Sequence, residues 1–321
     1  EQMVVQMKQQ VDRIYQGQKL SRQVHTKTHG CVKGVFEVGE LPEELRVGVF
    51  SKPRKFHAWV RFSNANSHPK PDPKKDIRGF ALKLLGVDGE KILTDEKNAK
   101  TQDFLLMSSE TFFSPSLLEF SKTMKAALAK NKLVVLFYFL NPVRWGLLKR
   151  YIKSKIKCEN PLDQKYWSTQ PFRFGTDDKA VKYFVKPHEA NTYVNENLTG
   201  DNFLQINMAQ TLNSHEAKFD FFVQFQTDAD KMPIENPSVP WTSSFQKVAT
   251  LTIVSQQFSS PSELDYGEDL SFNPWHCLPE HQPLGGFNRA RKVAYEVMSK
   301  YRHKWNNEPV LEPEDSPDFL N

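Results

Sequence analysis

The chain has 321 residues, 39% of them hydrophobic, with 24 Phe and only 14 Gly; that is enough apolar material for one large domain or two modest ones with a bulky aromatic interior. A formal net charge of +5 is compatible with an anionic ligand or a lipid surface and too small to mark a nucleic-acid-binding protein. Three scattered cysteines, Cys31, Cys158 and Cys277, exclude a disulfide framework and point to reduced thiols.

Residues 3–16 place Met7, Val11, Ile14 and Tyr15 at helical spacing, with Gly17 closing the run, so residues 1–17 are expected to form a helical arm on the body. The chain starts at Glu1 with no basic segment, apolar core and cleavage site; localisation stays open, a cytoplasmic setting being slightly favoured. The second half of residues 20–38 alternates like a strand, and residues 56–63, 78–85 and 103–107 read as three more. Residues 64–76, rich in Pro, Asn and Lys, predict a solvated loop. Helices are expected over 114–130 and over 133–157, the latter broken at Pro142. Alternation returns at 218–226 and 248–254. Residues 288–303 contain no Gly or Pro, and Asn288 is a candidate cap for a last helix. The acidic, Pro-containing tail, residues 304–321, should run as an extended surface strap. No apolar run reaches the ~18 residues needed to span a bilayer. Strands early, helices in the middle, strands late and a helix last suggest one α+β domain over residues 1–321, built on an antiparallel sheet or barrel.

On the last helix, Arg291 and Tyr295 fall one turn apart on one face, with Arg302 two turns further on nearly the same face. A cation one turn from a phenol favours its phenolate, a hard anionic ligand suited to ferric iron. The same stripe also fits a plain basic amphipathic helix with a half-buried Tyr. His25, three residues after Arg22, is placed to move protons near neutral pH or simply to hydrogen-bond in a turn. Arg61 sits mid-strand among apolar residues; facing inward, it needs a buried carboxylate, with an Asp of the protein the simplest choice. His25, His29, Cys31, His276 and Cys277 lack the tight pairing of zinc ligands, and structural zinc is not expected. Residues 143–157 are basic with apolar residues at helical spacing, fit either to pack on the body or to touch an anionic membrane.

Several motifs then occur in order: Arg22-x-x-His25 followed by Gly34-x-Phe-Glu-Val38, Val60-Arg-Phe-Ser63, Asp76-Ile-Arg-Gly-Phe-Ala81, Thr101-Gln-Asp-Phe104, Phe272-Asn-Pro-Trp-His276, and Arg291-x-x-x-Tyr295 with Arg302. As an ordered set over residues 22–303 they resemble the catalase superfamily, in particular its small members: minicatalases, catalase-related peroxidases and allene oxide synthase domains. The resemblance implies a catalase-like antiparallel β-barrel with surrounding helices and haem b buried between barrel and C-terminal helix. It implies Tyr295 as axial ligand of the haem iron, Arg291 holding it as phenolate, and His25 as the distal catalytic residue. Arg22, Arg61 and Arg302 look like the propionate-binding arginines. Asn98, the only Asn just ahead of Thr101-Gln-Asp-Phe104, is the candidate distal Asn, although the spacing there departs from that of large catalases.

The implied activity is splitting of hydrogen peroxide or an organic hydroperoxide, with an organic donor in the peroxidase case and a homodimer or homotetramer as the assembly. Allene oxide synthases of this family carry Thr immediately before the distal His, where this chain has Val24. Val24 cannot hydrogen-bond the imidazole, so peroxide decomposition is expected over fatty-acid hydroperoxide isomerisation. A haem-binding barrel without turnover is the non-enzymatic alternative.

Overall fold

The computed structural model describes residues 2–15, 17–127, 132–310 and 312–320. Its centre is a closed antiparallel barrel. The early strands are β1 (Lys27–Val38), β2 (Arg54–Asn64), β3 (Arg78–Leu85) and β4 (Thr101–Met107). The later ones are β5 (Tyr166–Trp167), β6 (Phe172–Phe174), β7 (Thr176–Pro187), β8 (Ala217–Phe225) and β9 (Phe245–Ile253). The hydrogen-bonded order β5-β4-β3-β2-β1-β9-β8-β7 returns to its start through a β5–β7 pairing, giving a ring of eight strands, with β6 attached to β7.

Alternation along each strand decides what fills the ring. Phe56, Ala58, Val60 and Phe62 of β2 join Val32 and Phe36 of β1, Phe80, Leu82 and Leu84 of β3, and Phe219 and Phe221 of β8 in one buried core. The rings meet edge-on, as Phe36 with Phe221 at 5.2 Å and Phe62 with Phe80 at 5.3 Å, the geometry their quadrupoles favour. Truncating any one of these fully buried phenylalanines to Ala should cost about 3–5 kcal/mol.

The opposite side chains of the early strands face outward and are nevertheless covered. Arg61, Ser63 and Lys83 are buried, because a second layer lies over β1–β4. It consists of α6 (Pro261–Asp269), the segment 270–284, α7 (Gly285–Asn306) and the tail. The tail is fastened by polar contacts: Lys83 Nζ lies 2.6 Å from Glu312, and His57 Nδ1 2.7 Å from Asp315. Helix α1 (Gln2–Tyr15) lies on α7, where Tyr301 donates to Asp12 at 2.5 Å. The expected helices of the middle appear as α2 (Leu117–Ala127), α3 (Lys132–Leu140) and, after the break at Pro142, α4 (Trp145–Lys153). The parts of these expectations on residues 1, 16 and 128–130 lie outside the described residues.

Several elements depart from the reading of the sequence. The last helix starts at Gly285 with Leu284 at its cap; the Gly286 N–H is satisfied by Glu235 at 2.8 Å. Asn288 therefore lies inside α7 and does not cap it. The helix also continues through Asn306, closed by Asn307 in the left-handed conformation (φ 55°). The loop over 64–76 is not wholly solvated: Asp72 is buried, receiving Lys27 Nζ at 2.6 Å and the Leu204 N–H at 2.9 Å. Strand β7 carried no readable alternation because both of its faces are covered, with Ala180 through Val185 all buried, Lys182 among them. Helix α5 (Phe203–Ser214) buries Asn207 and Thr211 together with Phe203 and Leu204, which blurs the apolar stripe by which helices are recognised.

Candidate active site

The candidate site forms on the outer face of β2–β4, beneath the second layer. His25 stands just before β1 in a left-handed conformation (φ 59°). Its Nδ1 is 2.9 Å from Ser63 Oγ, and its carbonyl accepts from Arg61 Nη2 at 3.0 Å. The ring lies against Gly79, the second residue of β3. A Cβ there would sit 2.3 Å from His25 Nδ1, so no other residue leaves room for the imidazole. Burial, followed by the cations Arg61, Arg291 and Arg22, pushes the imidazole pKa down to about 3. The ring is neutral at physiological pH. In the tautomer that donates Nδ1–H to Ser63, Nε2 keeps its lone pair.

Arg22, Arg61 and Arg302 converge as the sequence suggested, around a residue that reading missed. Glu268, at the end of α6, accepts from Arg22 Nη1 at 2.9 Å and from Arg61 Nη2 at 2.6 Å. Arg302 Nη1 donates to the Glu268 backbone carbonyl. The buried partner of Arg61 is thus a Glu and not an Asp. Burial alone would raise the Glu268 pKa, but Arg61 and Arg22 together outweigh it and hold the carboxyl at about 2. Glu268 is the carboxylate ion-paired with both Arg22 and Arg61, while Asp269 and Glu308 also act on Arg302, so the cluster stays rich in cations. The strain shows at Arg22, whose pKa is lowered to about 9, by burial first and then by repulsion from Arg61. The Arg61 Nε is buried without a hydrogen-bond acceptor among the described residues.

A sequence signal for this layer existed in Ser260-Pro-Ser-Glu263. The structure forms it as a complete capping box with Pro in the first turn, and that motif starts the helix that delivers Glu268.

On α7, Arg291 Nη2 lies 3.5 Å from Tyr295 Oη, with the guanidinium carbon 5.3 Å from the ring centre. Asn288 is a further residue with an unforeseen task. Its Oδ1 accepts from Arg291 Nη1 at 3.1 Å while its Nδ2 donates to Pro171 and Leu284 carbonyls at 2.9 Å. The amide thereby fixes the guanidinium that faces the phenol. Val24 is 37% exposed beside His25, and Ser63, not residue 24, engages the imidazole Nδ1.

Asn98 is not brought to this site. It is exposed in the loop preceding β4, at the end where Thr101 pairs with Leu85; Gly79, beneath His25, pairs with Met107 at the other end. Six residues of strand separate the two ends, about 20 Å. The outward-facing β4 side chain level with Gly79 is Met107, a thioether without an N–H. The neighbouring Ser108 is turned inward, its Oγ accepting from the Arg78 N–H at 2.8 Å.

The remaining titratable residues singled out in the sequence are spread among separate networks. His29 Nε2 is 2.8 Å from Asn64. His276 contacts Thr101 and Glu96, with Glu312 Oε2 at 3.8 Å from its Nε2. Cys31, Cys158 and Cys277 are free and buried.

Comparison of the whole structure with solved ones decides the fold. A fungal catalase superposes with a TM-score of 0.69 at 14% identity, over 93% of this chain and 62% of the other. The fold is catalase-like. Catalase A from Saccharomyces cerevisiae gives 0.68 at 15% identity, over 90% and 63%, and a bacterial catalase 0.65 at 17%, over 92% and 60%. The chain therefore spans about three-fifths of the length of these catalases. No protein-family model and no curated protein sequence matches it. At these identities the likeness establishes the catalase fold, its eight-stranded antiparallel barrel and flanking helices, and nothing about activity.

Proposed function

We propose that this catalase-fold chain binds haem b and breaks down peroxides, hydrogen peroxide or organic hydroperoxides. The observation that carries the reading is the charge imbalance around Glu268, together with the Arg291–Tyr295 pair on the same helix as Arg302. The donor set fits the porphyrin: propionates would relieve the mutual repulsion of Arg22, Arg61 and Arg302, and a phenol facing a guanidinium suits ferric iron. Tyr295 would ligate the iron, and Arg22, Arg61 and Arg302 would hold the carboxylates. Bound haem would supply the redox-active iron at which a peroxide O–O bond is cleaved.

The chain's own residues would do the rest. Arg291, oriented by Asn288, sets a guanidinium N–H beside the Tyr295 hydroxyl oxygen, the atom that would face the iron. His25, neutral and fixed by Ser63, accepts a proton at Nε2 from an arriving peroxide and returns it to the leaving oxygen. Glu268 keeps the three arginines from repelling one another before the propionates arrive. Val24, apolar and without a hydrogen bond to offer His25, supports peroxide breakdown over isomerisation of a fatty-acid hydroperoxide.

The second reading is a haem-binding barrel without turnover. Met107 favours it, since an amide at that position would orient a peroxide and a thioether cannot. Titration with hemin, followed by absorption spectroscopy and oxygen evolution, separates the readings. A ferric spectrum that changes in Tyr295→Phe, with peroxide consumption, supports the enzyme; a bound haem inert to both small and bulky peroxides supports the second. Absence of any hemin binding removes both.

A further inference from the structure

We infer that the face formed by α3, residues 141–144 and α4 is a docking surface for an anionic phospholipid bilayer. Of the nineteen large apolar side chains left exposed among the described residues, nine fall between Leu118 and Ile152. They include Phe137 (66% exposed), Val143 (88%) and Trp145 (59%), with Leu136 and Leu140 beside them. Helix α3 reads Lys-Leu-Val-Val-Leu-Phe-Tyr-Phe-Leu, and an apolar run left uncovered on this scale marks a contact site. At nine residues it is about 14 Å long, too short to cross a membrane, and no helix among the described residues is long and apolar enough to do so.

Charge identifies the occupant. Residues 117–157 contain ten Lys and Arg against a single carboxylate, Glu119, a formal +9; the chain totals +5, so the remaining residues carry −4. Lys149, Lys153 and Lys157 lie exposed on and just beyond α4. Helix α4 is itself amphipathic, burying Leu147 while Trp145 and Ile152 stay outside. A face with exposed aromatic and aliphatic side chains set among lysines matches the interface of an anionic bilayer, where the apolar groups enter below the headgroups and the cations meet the phosphates.

The flanks of the patch pack on the body of the protein. Phe112 and Phe120 pack on Phe287 in the first turn of α7, with ring centres 5.0 and 5.9 Å apart, and Arg150 Nε donates to the Phe113 carbonyl at 2.9 Å. The inference does not depend on haem.

The test is flotation of the full chain with vesicles of phosphatidylcholine alone or with 30% phosphatidylserine, about 30% being chosen to give a strong surface potential. Binding is expected only with the anionic vesicles, weakened on the order of tenfold at 0.5 M salt as the surface potential is screened. Phe137→Ser with Leu140→Ser should weaken it by a similar factor, and so should Lys149→Gln with Lys153→Gln; all four positions are exposed, so melting and far-UV dichroism should be unchanged. The inference is overturned by the absence of flotation. It is equally overturned by flotation that neither double variant reduces, or by a self-associated chain that the apolar variant dissociates and that ignores vesicles.

Discussion

Glu268→Gln is the most informative single change, because it removes the carboxylate that pairs with both Arg22 and Arg61 while keeping the side-chain shape. In the folded protein Glu268 has a pKa of about 2 against the ordinary 4.5 of a glutamate, which corresponds to on the order of 3 kcal/mol of stabilisation. The cost expected for breaking a buried ion pair falls in the same range, about 3–5 kcal/mol. Since the folded value lies below the unfolded one, this contribution is complete above about pH 4.5 and is lost as pH falls toward 2. At pH 3.5 it should already be about 1.4 kcal/mol smaller than at pH 7. Urea unfolding of the hemin-free chain at pH 7 should therefore show the variant about 3 kcal/mol less stable, with a deficit that narrows in acid. Adding hemin should narrow it too, because propionates supply the missing negative charge. Equal midpoints at pH 7 would refute the electrostatic account of the cluster. A deficit unchanged by hemin would refute its role as a propionate site.

Gly79→Ala should leave hemin binding intact and lower peroxide turnover by roughly a hundredfold or more, the scale of a displaced proton-transfer group, since its Cβ would enter the space of the His25 ring; wild-type rates in the variant would remove His25 from the chemistry. With the His25 pKa near 3, kcat/KM should be flat from pH 4 to 8 and fall only in stronger acid as the imidazole gains its proton. A limb centred near the ordinary 6.5 would contradict the half-buried, cation-flanked position. Met107→Asn, which offers an N–H beside Gly79, should raise hydrogen peroxide turnover by roughly tenfold, and no gain in steady-state oxygen evolution would show that β4 does not face the reacting peroxide.

Local rules made a good part of the molecule legible. Strands β1–β4, β8 and β9 appear in the sequence because their inner residues are large and apolar at every second position, as in Phe56, Ala58, Val60 and Phe62. The relation of Arg291 to Tyr295 follows from helix periodicity alone, and the need of Arg61 for a carboxylate follows from its apolar neighbours. Strand β7 and helix α5 escaped because their buried Lys182, Asn207 and Thr211 interrupt the patterns on which such recognition relies.

What the sequence could determine is whatever depends on residues a few positions apart: the period of each element, its punctuation, and which side chains share a face. Only the tertiary structure decided that Glu268, 246 positions from Arg22, completes the arginine cluster, and that Asn288 orients Arg291 where a helix cap was expected. It also placed Asn98 away from His25. The antiparallel register of β3 on β4 sets Met107, not the loop before Thr101, level with Gly79. The physical reason is that register and layer packing are fixed by the summed burial of many side chains from distant parts of the chain. No local spacing carries that sum.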